Sequence, residues 1–385
     1  MAKKPFKKSA IYQPSRRIQE LVKVLLFTRA GGRCEFDGCN KYLLEHYLTL
    51  TPGNFAQVAH IVAFSEDGPR GKGERPSDIN DTKNLMLMCP ACHKLVDDNP
   101  ERFTRLTLEG YKKRHEERIL HVTSLGPDQK TAVMTVISQI GRQTSGVPYD
   151  QILEAVSPRY PLSKSGLPID LTQLPTDSGG FLEAACDTIK VQVENFLGPG
   201  GEAKKSNHIS LFALAPIPVL AFLGTVLSNK VPLDLYQRHR DTENWTWKES
   251  GPAVTYVMGD AKRRRTGGAA LVLSLSGSID MNSLPPKLVA SSSIYFLTLE
   301  GITPNPTFLK TRRDLENFRN AYHMAIATII KNHRGIKEID LFPAVPAPVA
   351  VLCGRELLPK VHPAVNVYDH QKNKGGFIYQ LTINK

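Results

Sequence analysis

Two close pairs of cysteines lie in the first quarter of the chain. Cys34 and Cys39 are spaced C-x4-C in "GGRCEFDGCN", and Cys89 and Cys92 are spaced C-x2-C in "LMLMCPACHKLVD". Two such pairs are the usual ligand set of a tetrahedral zinc site that joins two loops. Because four thiolates leave no open coordination position, we expect a structural zinc ion, and the chemistry must come from its neighbours.

Three polar side chains accompany these pairs. His60 lies in the apolar stretch "AQVAHIVAF", Asn84 directly precedes "LMLM", and His93 directly follows the last cysteine. The two apolar stretches predict short strands, and a short helix should begin near the second cysteine pair. An apolar helical stripe that stops at Gly31 and Gly32 precedes this unit, and a basic helix near 108–120 follows it. An imidazole with a pKa near neutrality can act as a general base or bind a metal.

The order His, Asn, His within a zinc-pinned ββα arrangement resembles the HNH nucleases, over roughly residues 15–120. The resemblance implies that His60 is the general base that deprotonates a water for attack on a phosphodiester. Asn84 would orient the His60 loop, and His93 would hold a Mg²⁺-class ion. Many members carry Asp or His immediately before the base, whereas this chain has Ala59. Asp97, one helical turn after His93, is therefore the candidate for a second ligand of that ion.

Length and composition bound the remaining possibilities. A chain of 385 residues with 41% hydrophobic residues predicts two or three globular domains. The formal net charge of +12 suits a polyanionic partner. The sequence shows neither a signal peptide nor an apolar run long enough to span a bilayer, so we expect a cytoplasmic protein without a membrane partner.

The C-terminal two thirds contain an internal repeat. "ISLFALAPIPVLAFLG" (209–224) aligns without gaps on "IDLFPAVPAPVAVLCG" (339–354), and the alignment then pairs Tyr236 with Tyr368 and Trp245 with Phe377. Each copy predicts a strand, a proline-bearing turn, an apolar helix and a second strand, which indicates α/β units around a mainly parallel sheet. The prolines mark helix N-termini, which favour anions.

This tandem unit behind an HNH domain resembles the SAVED domain, a fusion of two CARF-like Rossmann-type units in effectors of CBASS anti-phage systems. The expected fold class is an α+β ββα-metal domain with structural zinc, followed by an α/β SAVED domain. The expected boundaries are 1–125 for the HNH domain, 126–145 for a linker and 146–385 for the sensor, whose units would cover about 146–250 and 251–385.

The SAVED resemblance also implies a function. A cyclic oligonucleotide, in HNH-containing members mostly a cyclic dinucleotide such as cyclic GMP–AMP, would bind the sensor and drive oligomerisation from a resting dimer to a higher oligomer. The nuclease would then degrade double-stranded DNA. The implied cofactors are a structural Zn²⁺ and a catalytic Mg²⁺ or similar ion.

Candidate ligand contacts follow from side-chain chemistry. Trp245 and Tyr236 could stack on purine faces, with Tyr368 and Phe377 in the matching places of the second copy. Cations near the strand "SIYFLTLEG" and the second repeat could meet phosphates; these are Lys310, Arg312, Arg313 and Arg355.

Two alternatives stay open at this point. One is an ungated HNH restriction-type endonuclease whose C-terminal domain recognises DNA, and the other is a non-catalytic zinc and Rossmann-like DNA-binding scaffold. The repeat argues against the first, and the set His60, Asn84 and His93 argues against the second.

Overall fold

The computed structural model describes residues 17–139, 146–174, 179–229, 231–264, 267–371 and 374–385. The chain divides into two compact units, with the boundary between Gly126 and Pro127. None of the helices in the described residues combines the length and apolar character that crossing a bilayer requires.

The first unit is built on a short antiparallel hairpin between helices. Its elements are α1 (Glu20–Arg29), β1 (Gln57–His60), β2 (Leu85–Met88), α2 (Pro90–Asp98) and α3 (Arg105–Thr123). Helix α1 ends as the sequence predicted, because Gly31 and Gly32 follow it at φ 61° and 66°, a conformation that glycine adopts without strain. Strand β2 is buried along its whole length and pairs with β1, which places His60 opposite Leu85.

The first half of the second unit is a parallel sheet in the order β4-β3-β6-β7, with β5 also paired to β3. Its elements are β3 (Lys130–Ile137), α4 (Tyr149–Val156), β4 (Tyr160–Pro161), β5 (Leu167–Asp170), α5 (Phe181–Leu197), β6 (Ile209–Leu214), α6 (Ile217–Leu227) and β7 (Leu233–Tyr236). Strand β3 lies inside the predicted linker, 126–145, so the linker assignment is corrected. This apolar strand of eight residues is buried inside the sheet and pairs with three neighbours, whereas in the sequence it stands beside weakly patterned residues. Residues 140–145 of that segment lie outside the described residues.

The second half is a sheet in the order β13-β12-β11-β9-β10-β8. The inner four strands are parallel, and β8 and β13 are antiparallel edges. Its elements are β8 (Tyr256–Lys262), β9 (Gly268–Ser274), α7 (Pro286–Ser291), β10 (Ser292–Leu299), α8 (Arg312–Asn332), β11 (Glu338–Ala344), α9 (Ala347–Arg355), β12 (Ala364–Gln371) and β13 (Gly376–Ile383).

The two repeat copies occupy equivalent places in the two sheets. Ile209 of β6 pairs with Ala132 and Leu233, and Ile339 of β11 pairs with Ala269 and Val365. The predicted order of strand, proline turn, helix and strand is confirmed in both copies, since α6 and α9 each begin directly after an N-cap proline.

The helices of the two copies touch at matching glycines. A Cβ on Gly224 of α6 would overlap the carbonyl oxygen of Val351, and a Cβ on Gly354 of α9 would overlap that of Ala221. Both pairs are related by the same offset in the alignment. The crossing is therefore possible only because the two contacting positions lack side chains.

Matching aromatic sets lie in or beside the two sheets. The first set is Phe212, Tyr236 and Trp245, and the second is Phe342, Tyr368 and Phe377. In each set the tyrosine stacks on the phenylalanine, with ring centroids 4.4 Å apart in the first and 4.5 Å in the second. The third ring meets that phenylalanine edge-on at 5.4 Å in both. The pairing of aromatic residues by sequence alignment is thus reproduced in space.

Candidate nuclease centre and sensor site

The four cysteines of the first unit converge. Cys34 precedes β2 in the chain and Cys89 follows it, yet the four sulfur atoms all lie within 4.8 Å of one another. The sulfurs of Cys39 and Cys89 are 4.0 Å apart. Backbone amides support the cluster, since the N–H of Cys89 donates to the sulfur of Cys34 and that of Cys92 to the sulfur of Cys89.

This cluster fits a tetrahedral metal ion. Zn–S bonds of about 2.3 Å place the sulfurs of a tetrahedron a little under about 4 Å apart, close to the arrangement found. Burial raises the pKa of Cys34 to about 12 when no cation compensates its charge. A divalent cation would supply that compensation, so metal binding should release thiol protons.

His60 is the last residue of β1, and one of its ring nitrogens makes a hydrogen bond. Its Nε2 lies 3.0 Å from Oδ1 of Asn80, and because a carboxamide oxygen only accepts hydrogen bonds, Nε2 carries the proton. The neutral ring then keeps its basic lone pair on Nδ1. The ring also packs edge-on near Phe64, at 6.1 Å between centroids.

Asn84 holds the chain that follows His60. Its side-chain amide donates to the carbonyls of Val62 and Ile79, and its Oδ1 accepts from the N–H of Val62 at 2.9 Å. The backbone carbonyl of Asn84 accepts a further bond from Ile61. The buried side chain of Asn84 thus holds the beginning and the end of the loop that follows His60.

His93 lies in the first turns of α2 and is held by β1. Its Nδ1 donates a hydrogen bond to Oε1 of Gln57 at 2.7 Å. This leaves Nε2 as the ring nitrogen whose lone pair is available to bind a metal ion. That Nε2 lies 3.2 Å from Oδ2 of Asp97. At this distance the two atoms can bind one cation together. The pair is therefore a suitable site for one divalent ion with nitrogen and oxygen ligands.

The protein supplies few other ligands for that ion. Ala59 is buried and has no donor atom in its side chain. Among the described residues, the four cysteines are the only group of three or more His, Cys, Asp or Glu side chains that converge as a metal site would need. Water and substrate phosphate would complete the coordination of an ion at His93.

Three residues of this centre were not found by reasoning from sequence. Asn80 and Gln57 set the protons of the two histidines, and Arg70 binds Asp97. Asn80 and Arg70 in a polar loop, and Gln57 at the start of a strand, carry no spacing signal, so only the fold brings them to the histidines.

Three predicted ligand contacts are placed inside the protein instead. Tyr236 is 1% exposed and Trp245 is 2% exposed, and both belong to the first aromatic set. Arg355 is also buried, and its guanidinium donates to the carbonyls of Ser228 and Val231 beyond the C-terminus of α6. A ligand cannot reach these side chains in this structure, so their assignment as contacts is corrected to structural roles.

The other predicted contacts are more accessible. Lys310 and Arg313 are exposed and Tyr368 is half-buried. Arg312, at the first position of α8, donates to the hydroxyl of Tyr236 at 3.1 Å and pairs with Asp234 at 2.8 Å. Its guanidinium is thus held at the end of β7, with about half of the side chain open to solvent.

The sequence matches two family models. Residues 189–383 match the SMODS-associated and fused to various effectors sensor domain, SAVED, and residues 34–99 match the HNH endonuclease family. Since the first match covers just over half of the chain, the protein belongs to the SAVED family. The second match is to an HNH endonuclease domain, which lies ahead of the SAVED sensor domain in the chain.

The solved structures that the comparison found are only distantly similar to this chain. The Acinetobacter baumannii Cap4 SAVED/CARF-domain containing receptor with the cyclic trinucleotide 3'3'3'-cAAA is 13% identical, with a TM-score of 0.44 over 75% of this chain and 62% of the receptor. The Moraxella osloensis Cap4 SAVED/CARF-domain containing receptor is 12% identical, with a TM-score of 0.35 over 74% of this chain and 60% of that one. The chain thus spans less than two thirds of the length of these receptors. No curated protein matches the chain.

Proposed function

We propose that the protein is a metal-dependent endonuclease of double-stranded DNA that a cyclic oligonucleotide activates, in antiviral defence of the CBASS type. The observation that carries the proposal is the presence in one chain of a SAVED sensor and an HNH unit whose two histidines are held by hydrogen bonds at opposite ring nitrogens, Nε2 in His60 and Nδ1 in His93. An inactive zinc module would have no need to hold both rings in this way.

His60 is the general base of the proposed reaction. With its Nε2 proton held by Asn80, the free Nδ1 takes a proton from water as that water attacks phosphorus and the bond to the leaving oxygen breaks. Asn84 keeps the loop after His60 in place through its bonds to Val62 and Ile79.

Two metal ions have separate roles in the proposal. The cysteines hold a structural Zn²⁺. His93 and Asp97 hold a Mg²⁺ or similar ion, which supplies electrostatic stabilisation of the charge that develops on the phosphate. Gln57 orients His93 so that its Nε2 stays available.

The sensor function is assigned to the two sheets as tandem CARF-like Rossmann-type units. Helices α6 and α9 begin at the carboxyl ends of β6 and β11, where parallel sheets bind ligands and helix N-termini favour phosphates. Lys310, Arg312 and Tyr368 remain the candidate contacts. The proposed activator is a cyclic dinucleotide such as cyclic GMP–AMP, and its binding would convert a resting dimer into a higher oligomer.

The decisive experiment adds candidate activators to the purified full-length protein. With Zn²⁺ bound and Mg²⁺ present, plasmid DNA should stay intact until a cyclic dinucleotide is added, and the particle mass should rise at the same ligand concentration. Moving an assembly equilibrium from 1:99 to 99:1 takes about 5.5 kcal/mol of differential affinity. Rapid plasmid degradation without ligand at nanomolar protein would instead favour an ungated restriction-type enzyme.

The matched control is His60→Ala. It should lower cleavage by about 10²–10⁴-fold, the usual contribution of a general base, while zinc content and ligand-induced assembly stay unchanged. Cleavage at the wild-type rate by this variant would refute the assignment of the base. Absence of cleavage by the wild type with every cyclic di- and trinucleotide would favour the non-catalytic scaffold.

A further inference from the structure

Arg70 occupies an unusual position in the loop between His60 and Asn84. Its backbone φ is 57°, in the left-handed region that residues with a Cβ rarely adopt, and its side chain is only 6% exposed. Such a conformation persists only where surrounding contacts hold it. Arg70 therefore has contacts that outweigh its backbone preference.

Those contacts join the two parts of the nuclease centre. Nε of Arg70 donates to the carbonyl of Ile61, the residue directly after His60, at 2.7 Å. Its Nη1 and Nη2 donate to α2, to the Val96 carbonyl and to Oδ1 of Asp97, both at 3.1 Å. One guanidinium thus fixes the end of the base-bearing strand against the C-terminal turn of the helix that carries His93.

The bond to Asp97 also sets the direction of its carboxylate. With Oδ1 bound to Arg70, Oδ2 is the oxygen left to face Nε2 of His93, at 3.2 Å. A carboxylate on a partly exposed helix surface would otherwise rotate among several rotamers. Nε2 of His93 and Oδ2 of Asp97 therefore stay close to each other before any cation binds.

We propose that Arg70 is a positioning residue that preorganises His93 and Asp97 for the divalent ion and fixes this pair relative to His60. The inference rests on the proposed function, because it takes His93 and Asp97 as the ligands of that ion. Ligand-orienting partners of this kind typically contribute 10–100-fold to metal affinity. Lysine at position 70 would keep the positive charge but lose the planar fork, so its effect reports geometry and not charge.

Arg75 provides a matched control in the same loop. It also makes three hydrogen bonds, but all go to loop carbonyls, those of Gly71, Ala63 and Phe64, and none goes to α2. Arg75→Lys should therefore disturb the loop to a similar extent without changing the orientation of Asp97.

The test measures Mn²⁺ binding by isothermal titration to the zinc-loaded, full-length protein without DNA, followed by the metal dependence of cleavage. Arg70→Lys should weaken Mn²⁺ binding at least tenfold and raise the Mn²⁺ concentration for half-maximal cleavage by the same factor. Arg75→Lys should leave both values within twofold of the wild type. Zinc content and thermal melting check the fold of each variant, and Arg70→Gln, whose amide can still donate to the Ile61 carbonyl, replaces a lysine variant that fails them.

The outcomes separate this inference from the proposed function. Equal Mn²⁺ affinities for wild type, Arg70→Lys and Arg75→Lys would overturn the role of Arg70 and leave the metal site intact. An equal loss in both variants would show a general loop effect and would also overturn it. A wild-type protein that binds no Mn²⁺ beyond its zinc and cleaves no DNA would overturn the metal site itself.

Discussion

The two units of this protein are stabilised by different kinds of contact. In the first unit, four converging thiols and buried polar side chains such as Asn84 hold short strands and long loops in place. This unit also buries the carboxyl group of Glu35. Burial raises the pKa of this group to about 7, and Nζ of Lys112 lies 3.6 Å from its Oε1. The second unit is built from two sheets around one large apolar cluster, which includes the first aromatic set, and a smaller cluster, which includes the second.

This difference indicates how each unit should respond to change. A unit with a smaller apolar core depends more on its cross-links, because hydrophobic burial contributes less of its free energy of folding and metal binding contributes more. A unit with a large core depends on packing, and its polar groups adjust stability by smaller amounts. The two units should therefore unfold separately, each when its own kind of contact is lost.

The largest effect is expected for Cys89→Ser. Structural zinc contributes about 10–16 kcal/mol of apparent binding free energy to small zinc domains, so losing one thiolate should unfold the first unit. Zinc content should fall, DNA cleavage should disappear, and calorimetry should still show the unfolding transition of the second unit. A stable, active and zinc-free variant would contradict the metal assignment.

The next effect is expected for Trp245→Ala. Removing a fully buried aromatic side chain from a core costs about 3–5 kcal/mol, so the transition of the second unit should shift strongly to lower temperature while zinc content stays constant. Trp245→Phe, which installs the residue type of the matching position 377, should cost clearly less. If Trp245→Ala melted like the wild type and only weakened ligand binding, the ring would line a pocket after all.

A smaller loss is expected at the helix crossing. Gly354→Ala and Gly224→Ala should each destabilise the second unit by about 1–3 kcal/mol, because the added methyl group meets a carbonyl oxygen of the facing helix. Gly277→Ala is the control, since a Cβ there meets no atom within 4 Å. Urea unfolding followed through the second unit measures all three, and equal stability of the Gly354 and Gly277 variants would show that the helices do not cross this closely.

The last effect concerns a carboxylate at a position where the other half of the sensor carries an amide. Asp234 of β7 is matched in register by Asn366 of β12. Burial opposes its ionisation, but contacts with His208 and with Arg312 outweigh that cost and lower the pKa of Asp234 from 3.8 to about 2. The shift corresponds to about 2 kcal/mol of stability at pH 7.

The sign of the pH dependence follows from this lowered pKa. The contribution of Asp234 is complete above about pH 4 and is lost as the pH falls through 2, with about half remaining at pH 3. Asp234→Asn should therefore destabilise the second unit by about 2 kcal/mol at pH 7 and by about half as much at pH 3. A difference that stays constant over this range in urea titrations would rule out the ion pair as its cause.

The outcome at the aromatic residues shows where sequence reasoning reached its limit. Alignment of the repeat correctly paired Tyr236 with Tyr368 and Trp245 with Phe377, because duplicated strands keep their register. It could not tell whether the rings face a ligand or a core, since an aromatic side chain next to a strand has the same local pattern in both cases. The burial of Tyr236 and Trp245 decided the question for the first copy.

By itself, the sequence determined the cysteine set, the order of His60, Asn84 and His93, and the repeat. Each of these can be recognised from residue types and their spacing, without knowledge of the fold. Only the tertiary structure decided which nitrogen of each histidine is free and which side chains hold the two together. Asn80, Gln57 and Arg70 come from a loop and a strand far from their partners in the chain. Their hydrogen bonds depend on how β1, the loop and α2 pack against one another, and such long-range packing leaves no periodic signal in the order of residues.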